Sequence, residues 1–201
     1  MTQRPTFTRE MIIQAAFALT REQGWASVTA RSIAQKLGSS TMPVYSSLKS
    51  MDEVEREVRK MAEELMHDFQ RRSFSGETLI DSAIGYVVFA RDEPALFRFL
   101  YVERPLTQAP KEGASGAAGS AADVQAVGGV VDLADQAATA LGDPSVLQNW
   151  AFVHGLASLI SSKVIDLPTE RISSLLTEAG TAFYLLAEMQ RNAGKKGVQH
   201  E

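Results

Sequence analysis

The chain has 201 residues, 45% of them hydrophobic and 22% charged, which is enough apolar material to bury a core and excludes a largely disordered chain. It contains no cysteine, so disulfide scaffolds, thiolate metal sites and cysteine nucleophiles are excluded together. The net charge of −4 conceals a split: residues 1–50 hold six basic side chains (Arg4, Arg9, Arg21, Arg31, Lys36, Lys49) against Glu10 and Glu22, a net of +4, while the remainder carries −8. A basic head on an acidic body is the asymmetry of a polyanion-binding module joined to something else, although one solvated basic face gives the same count.

Helical spacing begins at residue 8. Ile12, Ala15, Ala16 and Leu19 fall on one face, and Gly24 stops that helix as a C′ glycine does. Thr29 is placed to cap a second helix carrying Ala30, Ile33, Ala34 and Leu37 on its inner face. Leu37-Gly38-Ser39 reads as a tight turn. A short third helix follows from Ser40, its candidate cap, to Leu48, with Pro43 in the first turn where a missing N–H costs little. Ser50 and Glu53 form a capping box for a fourth helix reaching about Arg72, with Val54, Val58, Met61, Leu65 and Phe69 as its apolar stripe.

After a Ser/Gly break at 73–76, helices are predicted over about 78–91 and, from Pro94, over 95–101. Residues 105–120, rich in Gly, Pro, Ala and Ser, read as a flexible linker. Helices then cover about 121–141, 144–163 and 168–191. The result is an all-α fold of about nine helices with three short ones first. It divides into a basic head over 1–50, a connecting helix over 51–75 and a C-terminal body over 76–194.

Function is concentrated between Val28 and Leu48. Two short helices meet at Gly38 with Ile33, Ala34, Leu37, Val44 and Leu48 turned inward, which leaves Ser39, Ser40, Thr41, Met42, Pro43 and Ser46 outward. This is the outline of a helix-turn-helix whose second helix enters a major groove. Small outward side chains suit close approach in a groove about 12 Å wide. An ordinary αα-hairpin has the same outline.

The ordered combination of Ala15-Ala16, Gly24-Trp25, IAQKLG at 33–38, Val44-Tyr45 and the capped fourth helix resembles the DNA-binding domain of TetR-family regulators. WAFVHGLASLI at 150–160 also resembles a Trp…His-Gly pattern of their regulatory domains. The resemblance implies that the neighbourhood of Thr29 touches phosphate, that Thr41, Met42 and Pro43 face bases with Ser46 as a further candidate, and that Tyr45 reaches the DNA backbone. Many relatives carry Lys where this chain has Met51, and Lys49 is the candidate to replace it. The last two long helices are expected to form a four-helix bundle with a second copy, through Ala157, Leu176, Gly180, Phe183 and Leu186. The same stripe on one helix also serves an intramolecular core.

Phe89, Phe97, Leu100, Tyr101, Trp150 and His154 are candidates to line a pocket for a small, largely apolar effector, although aromatics at this spacing more often form plain core. His154 has no second ligand at metal spacing, so neither a metal nor a cofactor is expected. No nucleophile elbow, P-loop, dinucleotide fingerprint or zincin motif occurs, and the run EGASGAAGS lacks the lysine and preceding strand of a phosphate loop. The expected partners are an operator duplex, a second copy and the effector. Without a span of about 18 apolar residues or an apolar signal core, a cytoplasmic regulator, most simply a repressor, is the leading expectation. A helical carrier protein and an all-α enzyme without a familiar motif are the alternatives.

Overall fold

The protein is described from a computed structural model, which covers residues 7–47, 50–103 and 144–197. The elements are α1 (Arg9–Gln23), a one-turn 3-10 helix (Trp25–Ser27), α2 (Ala30–Lys36), α3 (Met42–Ser47), α4 (Met51–Gln70), α5 (Thr78–Asp92), α6 (Pro94–Tyr101), α7 (Pro144–Ser161) and α8 (Thr169–Gly197). No strand occurs among the described residues, and the fold is all-α. The linker expected at 105–120 and the helix expected at 121–141 lie outside the described residues.

The chain divides into two compact units, residues 1–66 with 92–108, and residues 67–91 with 109–201. The first is assembled against α1. Its inner face buries Ile12, Ile13, Ala15, Ala16 and Leu19, and α2, α3, α6 and the 3-10 turn all pack on it. Ile33, Ala34 and Val44 supply the opposing surface. Charge fastens α1 near both ends: Arg9 reaches Glu53 at 3.0 Å and Glu57 at 2.7 Å, while Arg21 makes a two-pronged pair with the buried Glu93, one prong at 2.7 Å. At the far end of α6, Arg59 lies 4.4 Å above the Phe99 ring and donates to the carbonyls of Phe99 and Leu100. Trp25 stacks on Phe99 at 5.2 Å.

The buried stripe of α4 differs from the sequence expectation. Val54, Val58, Ala62, Met66 and Phe69 are buried, whereas Met61 and Leu65 are only half-buried. The buried set is spaced by 4, 4, 4 and 3 residues, which keeps it on one side of the helix with the small Ala62 in its middle, while Met61 and Leu65 are turned about 100° away from Ala62 and Met66 respectively.

In the second unit, α7 and α8 pack on one another. Leu156, Ala157, Ile160, Ile172 and Leu176 are buried, and Phe152 meets Phe183 edge-on at 6.2 Å. Phe69 and Phe89 meet in the same T-shaped way at 5.5 Å. The turn before α5 is organised by one carboxylate: buried Asp81 accepts the Ser75 N–H at 2.6 Å, the Ser75 hydroxyl at 2.7 Å and the Gly76 N–H at 3.2 Å. The Ser75 hydroxyl is the largest influence holding Asp81 below the ordinary carboxylate range.

Two outcomes follow from this unit. A Cβ at Gly85 would lie 2.7 Å from the Gln70 Cα and closer still to the Phe69 carbonyl oxygen. Both are backbone atoms that cannot rotate away. Gly85→Ala should therefore lower stability by about 1–3 kcal/mol or more in urea unfolding. The contribution of Asp81 is complete above the ordinary carboxylate range and is lost as pH falls through its lowered folded value. Asp81→Asn should lower the neutral-pH Tm and flatten the acid limb of a Tm-against-pH profile.

Candidate nucleic-acid interface

The helix-turn-helix is built from local hydrogen bonds. Thr29 caps α2 by accepting the Ser32 N–H at 3.0 Å, and Ser32 answers by accepting the Thr29 N–H at 2.9 Å, a reciprocal capping box. At the other end of α2, the Gly38 N–H bonds to the Gln35 carbonyl at 3.1 Å and the Ser39 N–H to the Ala34 carbonyl at 2.9 Å. This Schellman closure needs a left-handed residue at its corner, and Gly38 takes φ +64°.

The turn uses one residue more than the sequence suggests. The structure begins α3 at Met42, with the Thr41 carbonyl accepting the N–H of Val44 at 3.1 Å and of Tyr45 at 3.3 Å. The expected cap, Ser40, instead offers its carbonyl to the Ser39 hydroxyl at 3.0 Å. Pro43 thus occupies the second helical position and still sits in the first turn.

Val44 is buried and anchors α3, while Ser40 and Thr41 are exposed and Met42 and Tyr45 reach 76% and 71% exposure. Thr29 is exposed, and Ser39 and Pro43 are half-buried. The backbone of Ser46 lies in α3; its side chain and all of Lys49 are outside what is described. The structure therefore brings Thr29, Ser39, Ser40, Thr41, Met42, Pro43 and Tyr45 onto the α2–α3 segment.

The charge balance of the head changes once the ion pairs are drawn. Arg9 is held by Glu53 and Glu57, Arg21 by Glu93, and Lys36 by Glu22 at 2.8 and 2.9 Å. Glutamate hydrogen bonds raise the pKa of both arginines above the ordinary value, so each stays charged and committed. Arg31 is different. It is exposed, has no ion pair among the described residues, and lines an open groove with Ala34, Gln35, Ser39, Ser40 and Thr41. In the sequence, Arg31 stands out only as part of the net charge and not as an interface residue. The available signal was its place two residues after the Thr29 cap and off the Ile33–Ala34 inner face.

The remaining candidates divide between the units. Phe97, Leu100 and Tyr101 are on α6 in the first; Phe97 and Leu100 are buried, and burial pushes the Tyr101 hydroxyl pKa up while it contacts the Met66 sulfur at 2.6 Å. Phe89, Trp150 and His154 are in the second. Phe89 is fully buried, whereas Trp150 stacks face-on with His154 at 5.3 Å and His154 Nδ1 shares a 3.0 Å hydrogen bond with the Tyr86 hydroxyl. Burial lowers the His154 pKa and favours its neutral form. Nothing in the local sequence around Tyr86 marks it as the partner of His154, 68 residues away. Ala157 and Leu176 are buried within the second unit, Gly180 and Phe183 are half-buried, and Leu186 is exposed.

An all-α chain with this capped helix-turn-helix is a DNA-binding regulator in outline, and the comparisons agree. Residues 79–179 match the family described as "Tetracyclin repressor-like, C-terminal domain". An uncharacterized HTH-type transcriptional regulator of Mycobacterium tuberculosis is 24% identical over 163 residues, covering 79% of this chain and 72% of that protein. The chain belongs to the tetracyclin repressor-like (TetR) family of transcriptional regulators. Regulators of this family bind DNA and are generally not enzymes. No described helix is long and apolar enough to cross a membrane.

Removing Arg31 should weaken duplex binding with little change in base preference. Arg31→Ala should make the plot of log affinity against log salt shallower by about one unit per lost phosphate contact. An unchanged slope in fluorescence anisotropy would show that Arg31 does not touch phosphate.

Proposed function

We propose that this chain is a cytoplasmic, homodimeric repressor that binds a near-palindromic operator through residues 28–49 and is released by a small, largely apolar effector. The carrying observation is the exposed start of α3, Met42 and Tyr45, which follows directly on the Ser39–Thr41 turn that shares an open groove with Arg31. In this reading Thr41, Met42 and Ser46 meet base edges, and Ser39, Ser40 and Pro43 fit the groove wall. Thr29, Arg31, Tyr45 and Lys49 meet phosphate. Residues 51–75 connect this head to an effector and dimerisation body over 76–194.

Support for a second copy comes from α8. Tyr184, Leu185 and Leu186 are exposed on its C-terminal half, apolar side chains that the described residues of one copy leave uncovered. A two-fold interface there would use each patch twice, with Gly180 and Phe183 at its margin and Ala157 and Leu176 behind it. For the effector, the polar Tyr86–His154 pair beside Trp150 supplies an oriented hydrogen-bonding tip on an aromatic wall. An inducer must bind the DNA-competent state less tightly than the alternative.

Selecting bound duplexes from a random pool and sedimenting the free protein test this reading together. The expected result is a micromolar dimer and a selected near-palindrome whose half-site centres lie about 34–36 Å, one helical turn, or a multiple apart. A monomer that selects a single asymmetric site, or a chain that retains no duplex, would overturn it.

A further inference from the structure

We propose that Met42 is an oxidation-sensitive contact of the reading helix, so that oxygen transfer to its thioether loosens the chain's hold on duplex DNA. The inference rests on the preceding reading, in which α3 faces base edges. It adds a modification site and a chemical input distinct from an apolar effector.

The chain holds seven methionines and no cysteine, so the thioether is its only sulfur chemistry. Oxidation of methionine follows exposure and is reversed by methionine sulfoxide reductases. Exposure differs sharply along this chain: Met42 is 76% and Met189 70% exposed, Met11 43%, Met51 and Met61 are half-buried, and Met66 is fully buried. The most exposed described methionine is therefore the first residue of α3, between Thr41 and Pro43. The residues before it, Ser40 and Thr41, are exposed and polar.

The chemistry balances with a peroxide as oxidant. A lone pair on Sδ attacks one peroxide oxygen, the O–O bond breaks, and the second oxygen leaves as water after proton transfer. Sulfur is oxidised by two electrons and the peroxide reduced by two. The product is a sulfoxide whose oxygen is a strong hydrogen-bond acceptor. A thioether can lie against a thymine methyl, whereas a sulfoxide there must shed water without gaining a donor. Oxidation thus converts an apolar contact into a desolvation cost at the interface.

The experiment uses the full chain, a labelled duplex selected from a random pool, and hydrogen peroxide, with site occupancies followed by peptide mass spectrometry. Met42 and Met189 should oxidise first, and bound duplex should slow oxidation of Met42 but not of Met189. Affinity should fall roughly tenfold as Met42 sulfoxide accumulates, the scale of one lost base contact, and a sulfoxide reductase should restore it in step with Met42 reduction. Met189→Leu should keep the full peroxide response. Met42→Leu should abolish the response, its affinity before and after peroxide being equal whatever its starting value. Unchanged affinity at full Met42 oxidation, or an undiminished response in Met42→Leu, would overturn the inference. A chain that holds no duplex before oxidant is added overturns the reading beneath it instead, so the two failures are distinguishable.

Discussion

The first unit depends on the buried face of α1. Ile12, Ala16 and Leu19 occupy a surface against which α2, α3 and α6 all pack, and no shorter element in the unit can hold itself in water. The seven residues of α2 and six of α3 are far below the length at which a helix is stable alone. They persist because Ile33, Ala34 and Val44 are buried. The capping box at Thr29 and the closure at Gly38 fix their ends. The exposed face of α3 is therefore a by-product of packing: once Val44 points inward, Met42 and Tyr45 are left outward.

Electrostatics assigns the basic residues to different tasks. A net of +4 over residues 1–50 suggests a diffuse attraction for DNA. In the folded unit, however, Arg9, Arg21 and Lys36 are spent on glutamates that fasten α1 to α4, to α6 and to the end of α2. Exposed pairs such as Lys36–Glu22 contribute little to stability, but they cancel local charge. What remains near the groove is Arg31, together with polar hydroxyls.

Much of this was legible in the sequence because it follows from short-range rules. The Thr29 cap, the Gly24 and Gly38 stops, Pro94 at the start of α6 and the inward set Ile33, Ala34 and Val44 are dictated within a few residues. The missed side-chain pairings involve partners distant in sequence. Arg21 and Glu93 are 72 residues apart and Tyr86 and His154 are 68 apart, so neither pair has a local signal. The α4 stripe was misjudged at Met61 and Leu65 because hydrophobicity alone cannot tell a buried Ala62 from a tolerated one. The start of α3 was displaced because Ser40 and Thr41 are both good caps, and only the closure onto Ala34 decides between them.

In the proposed reading, residues on α2 and α3, Arg31 among them, form the surface that meets DNA. Backbone amide exchange of the full chain with and without a selected duplex tests it most directly. Protection should appear at residues 29–31 and 39–47 and leave α8 unchanged. Protection confined to residues 144–197, with the α2–α3 segment exchanging as in the free chain, would contradict the account.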